Sequence, residues 1–187
     1  MQLKLLLFLF VATPTMGEKI LFYFGFSSYS HRVAVWPLVA ELAAKGHEVT
    51  FFSPFPNKNP DPKVREFTAS KKLVDELGEF DMVGSRLSQG KRLVQFVSLF
   101  QLPYLTSKVC ELTLKDPASQ QWIQKEKFDL IVLDGLFNEC GLILAHKYGS
   151  KTAIFQTGSV LGKKYLGMLA KLPKTFLTVP CTSIIFK

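Results

Sequence analysis

Residues 20–53 read ILFYFGFSSYSHRVAVWPLVAELAAKGHEVTFFS. The run 20–24 is continuously apolar, which is typical of a strand that is covered on both faces in a parallel sheet. His31 follows a short turn, and the helical spacing after it stops at Lys45-Gly46, a cation and a glycine that commonly end helices. Residues 49–52 form a second apolar strand. The segment therefore predicts a βαβ unit with parallel strands and a right-handed crossover.

A second strand and helix place an aspartate at the same edge of the predicted sheet. Residues 128–133 form an apolar run that ends at Asp134, before a helix predicted over 138–148 and a further strand over 151–155. Because the carboxyl ends of parallel strands share one edge, where α/β proteins bind ligands, polar residues after the strands converge there. These residues are His31, Ser53, Asp134, Gln156 and Thr157. We therefore expect His31 and Asp134 to be neighbours.

The amino terminus has the composition of a secretory signal peptide. A basic residue, Lys4, precedes the apolar run 5–12, and small residues follow it. We expect cleavage after Gly17, with 1–17 as the signal peptide and 18–187 as a single amino-terminal domain. The apolar run is much shorter than the roughly 20 residues of a membrane-spanning helix, so an anchor is the less favoured interpretation.

The three cysteines are an odd number for a secreted chain. They are Cys110, Cys140 and Cys181. At most one disulfide bond can form among them within the chain, and their spacing matches no metal site such as C-x-x-C. We expect buried thiols and no bound metal.

The net charge of +8 does not by itself indicate a nucleic-acid-binding protein. Lysines and arginines are spread along the chain without interleaved aromatic residues or an RNA or DNA motif, so we expect no nucleic-acid partner. Basic residues dominate only near the carboxyl end, where 160–174 has an apolar helical face opposite Lys163, Lys164 and Lys171. Such a helix either packs on the domain with a solvated basic side or contacts a membrane surface.

The middle of the chain has a less regular pattern. Three prolines within 55–62 predict a loop, and Asp116 before Pro117 predicts the start of a helix with aspartate as its cap. The insert between these two features is aromatic and apolar, and it contains Phe96 and Phe100. Its aromatic residues either line a pocket for a lipophilic ligand or pack in the core.

Several common nucleotide-binding and catalytic motifs are missing from the sequence. The turn after the first strand lacks the GxGxxG dinucleotide fingerprint, and 158–163 has three residues between its glycines where a phosphate-binding loop has four. Neither a GxSxG nucleophile elbow nor HExxH zinc spacing occurs. These absences argue against dinucleotide, P-loop, serine hydrolase and zinc protease chemistry.

Two blocks of the sequence resemble UDP-glycosyltransferases of the glucuronosyl- and glucosyltransferase type. The first is Ser30-His31 with WPLVAELAAKGHEVT at 36–50. The second is FDLIV at 128–132 with Asp134 and FNEC at 137–140, and it is similar to arthropod and nematode members in particular. The resemblance implies a Rossmann-like parallel sheet. It identifies the chain with the incomplete amino-terminal domain of a two-domain GT-B glycosyltransferase, with the donor-binding domain absent.

The resemblance also implies roles for the residues at the sheet edge. His31 would be the general base for an acceptor hydroxyl, and Asp134 would hold its imidazole without taking the proton. The implied reaction is inverting transfer of a hexosyl group from a UDP-sugar, a co-substrate, to a small lipophilic acceptor, without a cofactor or metal. Candidate residues for the acceptor pocket are Phe26, Ser27, Phe96, Phe100 and Gln156.

For the whole chain, the resemblance implies a location in the endoplasmic reticulum or secretory pathway, membrane-anchored full-length relatives and a role in detoxification. We expect the chain as given to be inactive alone, because UDP-sugar binding needs the carboxyl-terminal domain. One alternative is a non-catalytic protein of the same lineage that binds lipophilic ligands or forms homo- or hetero-oligomers with full-length transferases. Another is a secreted α/β ligand-binding protein unrelated to sugar transfer.

Overall fold

The computed structural model describes residues 17–68, 104, 106–135, 138–156 and 176–180. Some sequence predictions lie outside these residues. They are the signal peptide up to residue 16, the pocket candidates Phe96 and Phe100, Thr157, the helix at 160–174 and Cys181.

Six β-strands and three α-helices have both ends defined within the described residues. The strands are β1 (Lys19–Tyr23), β2 (Glu48–Ser53), β3 (Val64–Thr68), β4 (Leu130–Asp134), β5 (Lys151–Gln156) and β6 (Phe176–Pro180). The helices are α1 (Tyr29–Ala44), α2 (Pro117–Lys125) and α3 (Cys140–Tyr148). Residues 106–115 are also helical.

The strands form one parallel sheet in the order β3-β2-β1-β4-β5-β6. This is the strand order of a doubly wound, Rossmann-like fold, and it confirms the predicted α/β class. The chain builds β2 and β3 on one side of β1 and then crosses to the other side for β4. The strand order therefore reverses between β1 and β4, at the position where such sheets bind ligands beyond the carboxyl ends of their strands.

The central strands are buried because both faces of the sheet are covered. Alternate residues of β1 point to opposite faces, as strand geometry requires. Leu21 and Tyr23 belong to the core cluster that includes residues of α2 and α3. Phe22 and Phe24 belong to the cluster that includes residues of α1. Burial on two sides explains why the strand is a continuous apolar run instead of an alternating one.

The two outer strands were not predicted from the sequence. The strand β3 lies at an edge of the sheet, where charged side chains are common. Because it contains Arg65 and Glu66, it lacks the apolar run by which the central strands were predicted. In the structure both side chains have partners, because Arg65 Nη2 lies 2.8 Å from Glu126 Oε2 and Glu66 Oε1 lies 2.7 Å from Arg32 Nη2. The strand at the opposite edge, β6, was likewise not predicted.

The predicted helix ends are close to the observed ones. Gly46 and Gly149 follow α1 and α3 with positive φ angles of 90° and 65°, in the region that glycine favours. Asp116 caps α2 as predicted, with its side chain 2.9 Å from the Ser119 backbone N–H. The start of α3 was predicted at Asn138, but the helix begins at Cys140 because Asn138 has a different role, described below.

The prediction of buried thiols is wrong for two of the three cysteines. Cys110 and Cys140 form a disulfide bond across 30 residues. The bond joins the helical residues 106–115 to the first residue of α3. Sequence spacing could not select this pair, because three cysteines allow three pairings.

None of the helices in the described part of the chain combines the length and the apolar composition that crossing a membrane requires. No group of three or more His, Cys, Asp or Glu side chains in the same residues could hold a metal ion.

Candidate active site

His31 and Asp134 are in contact at the carboxyl edge of the sheet. The Nδ1 atom of His31 lies 2.6 Å from Oδ2 of Asp134. The carboxylate is fully buried, whereas the imidazole is 20% exposed. The fold thus brings together the two residues that the sequence placed at one edge. A neutral histidine that donates Nδ1–H to a carboxylate carries its lone pair on Nε2, which is the arrangement of a general base.

The pairing of β1 with β4 creates this contact. Tyr23 lies opposite Leu133 in the register of the two strands, so that the chain segments leaving them emerge side by side. Asp134 is the last residue of β4, and His31 lies in the first turn of α1. The pair therefore occupies the point where the strand order reverses.

The loop between β1 and α1 adds a second donor to the same carboxylate. The hydroxyl of Ser27 donates to Asp134 Oδ2 at 3.1 Å. Oδ2 thus accepts a hydrogen bond from Ser27 and faces the imidazole of His31. A carboxylate held in this position can keep the imidazole in one orientation and stabilise an imidazolium beside it.

Asn138 joins the loops that follow β1 and β4. Its Oδ1 accepts the backbone N–H of Phe26 at 2.8 Å, and its Nδ2 donates to the Phe26 carbonyl at 2.7 Å. The residue is 3% exposed. Sequence analysis predicted only a helix start at this position, because a side chain that pairs with distant backbone has no sequence signature.

The remaining edge residues have different surroundings. Phe26 is 7% exposed and belongs to the core cluster that contains Tyr23. Gln156 lies against Gly135, where a Cβ atom would be only 2.8 Å from the Gln156 Oε1. Ser53 accepts the Phe55 N–H at 3.1 Å within the turn after β2. Among the predicted site residues that the structure describes, the hydrogen bonds given above join His31 and the pocket candidate Ser27 to Asp134.

Arg32 is a buried cation that sequence analysis did not single out. Its Nη1 donates to the Phe55 carbonyl at 2.8 Å and its Nη2 lies 2.7 Å from Glu66 Oε1. The guanidinium carbon lies 4.8 Å and 4.6 Å from the ring centroids of Trp36 and Phe51. Burial lowers the pKa of Arg32, and the Glu66 carboxylate opposes that shift. The side chain ties α1 to β3 and to the loop after β2.

The other two histidines lie away from the edge that holds His31. His47 precedes β2 at the amino edge of the sheet, and its Nδ1 accepts the backbone N–H of Glu18 at 3.1 Å. His146 lies in the last turn of α3 and is exposed. Neither histidine has a carboxylate contact comparable to that of His31 among the hydrogen bonds and ion pairs of the described residues.

Two open clefts lie apart from the histidine-aspartate pair. One of about 350 Å³ is lined at the amino edge of the sheet by residues that include Lys19, Glu48 and Arg65. Another of about 410 Å³ adjoins the disulfide bond and includes Glu139 and Ile143 in its lining. Neither cleft has His31 or Asp134 among its lining residues.

Comparisons with known proteins identify glycosyltransferases as relatives. Human 2-hydroxyacylsphingosine 1-beta-galactosyltransferase is 39% identical over 62 residues, which cover 33% of this chain and 11% of that protein. UDP-glucosyltransferase 2 of Dactylopius coccus is 28% identical over 147 residues, which cover 78% of this chain and 27% of that protein. The protein ugt-48 of Caenorhabditis elegans is 29% identical over 165 residues, which cover 81% of this chain and 30% of that protein. Its name assigns it provisionally as a UDP-glucuronosyltransferase.

No protein-family model matches the chain. Among solved structures, the calicheamicin glycosyltransferase CalG4 has a TM-score of 0.49 and 14% sequence identity, covering 82% of this chain and 36% of its own. The chain spans less than a third of the length of each curated relative named above.

Fold and site together define a Rossmann-like α/β domain with a histidine-aspartate pair at the reversal of strand order. The curated relatives show what this domain is similar to. They confirm the resemblance to UDP-glycosyltransferases, including insect and nematode members, and the chain fits the amino-terminal portion of that family.

Proposed function

We propose that this chain forms the acceptor-side domain of a UDP-glycosyltransferase and that His31 is its general base. The proposed reaction is inverting transfer of a hexosyl group from a UDP-sugar to the hydroxyl of a small lipophilic acceptor. One observation carries the proposal: His31 Nδ1 lies 2.6 Å from the buried Asp134 carboxylate at the reversal of strand order. The similarity to named glycosyltransferases supports the class of reaction.

The chemistry follows from the arrangement of the pair. His31 takes the proton of the acceptor hydroxyl on Nε2 as the acceptor oxygen bonds to the anomeric carbon of the sugar. The bond from that carbon to the phosphate oxygen breaks, and its electron pair leaves with UDP. Attack opposite the leaving group inverts the configuration. Asp134 does not take the proton; it holds the tautomer with Nδ1–H and stabilises the imidazolium that forms.

The rate of such a reaction depends on holding donor and acceptor in one geometry. In this proposal the described domain supplies the base and the acceptor side, and a second, carboxyl-terminal domain supplies the UDP-sugar site. The chain alone is then expected to bind lipophilic acceptors without transferring sugar.

Calorimetric titration of residues 18–187 with UDP-glucose and UDP-glucuronic acid is expected to show no binding. Saturable micromolar binding would place a donor site on this domain.

The proposed compartment is the lumen of the secretory pathway. The disulfide bond between Cys110 and Cys140 supports it, because such bonds persist in oxidising compartments. Translation with microsomes is expected to give a translocated protein that begins near Glu18. A mature cytosolic protein that retains Met1 in mass spectrometry would contradict this location.

The catalytic proposal is tested by His31→Ala in a chain joined to the donor-binding domain of a related UDP-glycosyltransferase. Loss of the base should lower kcat by about 10²–10⁴-fold, with little change in the KM for UDP-sugar, because His31 acts on the acceptor proton. His47→Ala is the matched control and should keep kcat near the parent value. Retention of most turnover by His31→Ala would refute the assignment.

A further inference from the structure

We propose that Asn138 is a positioning residue that sets the geometry of the His31–Asp134 pair through the backbone of Phe26. The catalytic consequence of this inference rests on the function proposed above. The structural part does not, because it concerns only how two loops are held together.

The contact is a two-point clamp. The Asn138 amide accepts from the Phe26 N–H at 2.8 Å and donates to the Phe26 carbonyl at 2.7 Å, across 112 residues of sequence. Both partners are buried, with 3% and 7% exposure. The amide presents a donor and an acceptor side by side, whereas an ionised aspartate has no donor and leucine has neither group, so neither of them could make both bonds.

The clamp joins the two loops that hold the reacting pair. Phe26 lies between β1 and α1, directly before Ser27, whose hydroxyl donates to Asp134. Asn138 lies between β4 and α3, four residues after Asp134. Fixing Phe26 to Asn138 therefore fixes the start of α1, and with it His31, relative to the end of β4.

Both ends of the clamp have rigid supports. The Phe26 ring packs in the core cluster with Leu144 of α3. Cys140, two residues after Asn138, is bonded to Cys110. A shift of the loop after β1 would disturb the packing of Phe26, and a shift of the loop after β4 would be opposed by the disulfide bond at Cys140. The clamp therefore holds the start of α1 in a fixed position relative to α3.

The test uses the full chain with ¹⁵N-labelled histidine and NMR of the imidazole rings. In the parent, His31 should show a single Nδ1–H tautomer with a far-downfield Nδ1 proton, since Nδ1 faces the Asp134 carboxylate. Asn138→Ala and the bulkier Asn138→Leu should lose that proton signal and shift the His31 ring nitrogens toward a mixture of tautomers. Asp134→Asn gives the reference for a broken pair.

Ser150→Ala is the matched control. Its hydroxyl makes a comparable tie to distant backbone, donating to the Phe128 carbonyl at 2.6 Å, but at the amino edge of the sheet. This variant should keep the parent His31 signals. Folded Asn138 variants with parent signals would overturn the proposal, as would loss of the fold in both Asn138 variants, which would make the amide a purely structural residue.

A second measurement separates this inference from the proposed function. In the two-domain enzyme, the Asn138 variants should lower kcat at least tenfold while the KM for UDP-sugar stays within twofold. If the NMR signals change as expected but His31→Ala retains turnover, the positioning role stands and the catalytic role fails. If His31→Ala loses turnover and the Asn138 variants keep both turnover and signals, the positioning role fails alone.

Discussion

The two edges of the sheet use histidine in opposite ways. At the carboxyl edge, His31 Nδ1 faces a buried carboxylate at 2.6 Å. At the amino edge, His47 Nδ1 accepts a backbone N–H from Glu18 at 3.1 Å. The neutral form of His31 therefore carries its proton on Nδ1, and that of His47 on Nε2. The two side chains are chemically identical, so the group that faces Nδ1 decides which histidine can act as a base through Nε2.

The surroundings of the two histidines differ in burial as well. Asp134 and Asn138 at the carboxyl edge are 2% and 3% exposed. At the amino edge, the Lys19 and Glu48 side chains of the 3.2 Å ion pair are 51% and 69% exposed. Buried polar groups are costly unless they are fully paired, whereas exposed ion pairs contribute little. Substitutions at the carboxyl edge should therefore have much larger effects than matched substitutions at the amino edge.

The largest effect is expected from a matched pair of aspartates in the two-domain enzyme. Asp134→Asn should lower kcat by about 10⁴-fold, because an amide cannot hold the Nδ1–H tautomer of His31. Asp129→Asn removes a carboxylate that accepts the Lys19 N–H at 2.8 Å at the amino edge, and it should leave kcat within twofold. Steady-state kinetics measures both variants. Similar losses in the two would abolish the distinction between the edges.

The next effect concerns stability and compares two cations. Arg32→Met leaves the mostly buried Glu66 carboxylate without its cationic partner, although the Asn57 N–H still donates to it at 3.1 Å, and should cost about 3–5 kcal/mol of unfolding free energy. Lys19→Met removes an exposed ion pair and should cost at most about 1 kcal/mol. Urea unfolding followed by circular dichroism measures the difference. A larger loss for Lys19→Met would show that the amino edge is the more stabilising one.

The disulfide bond supports the carboxyl edge from outside the sheet. By loop-closure entropy, a bridge across 30 residues should contribute about 3–4 kcal/mol, which Cys110→Ser with Cys140→Ser would remove. Hydrogen exchange in the double variant should speed up most at residues 138–142, which adjoin Cys140, and least in β2. The reductant dithiothreitol should reproduce the effect in the parent and leave the variant unchanged. An equal rise in exchange at both edges would contradict the local role.

The smallest effect is expected at the amino edge, where Tyr148 donates to the Ile123 carbonyl at 2.8 Å. Tyr148→Phe should cost about 1 kcal/mol.

Burial raises the pKa of Tyr148 to about 12, with Glu126 adding to the shift. Because the folded pKa is raised, the fold should keep this contribution below the unfolded pKa of about 10 and lose it as pH rises toward 12. The parent should therefore lose stability over that range more steeply than Tyr148→Phe. Parallel pH profiles for the two would contradict the assignment.

Much of the fold could be predicted because buried strands have continuously apolar sequences. The strands β1, β2, β4 and β5 are apolar runs since both faces of the sheet are covered. Parallel topology then placed His31 and Asp134 at one edge without any local signal that linked them. Edge strand β3 escaped prediction because its charged residues have partners on α1 and after α2, which only the tertiary structure supplies.

The site was predicted less completely than the fold. A histidine and an aspartate after two strands can be found from the sequence, but the clamp by Asn138 cannot, because its partners are backbone atoms of Phe26. The disulfide was missed for a related reason. Which of three cysteines meet depends on how residues 106–115 pack against α3, and no sequence pattern encodes that approach.

The pairing of β1 with β4 also has a consequence for folding kinetics. The two strands that form the site are 110 residues apart in register, from Ile20 to Leu130, and closing so long a loop is slow compared with forming local helices. Synthesis therefore delivers the whole first βαβ unit, with His31, well before the partner carboxylate leaves the ribosome. The histidine-aspartate pair can form only once β4 has joined β1, the strand pairing of this sheet with the largest sequence separation, so its formation reports on that long-range pairing as well as on chemistry.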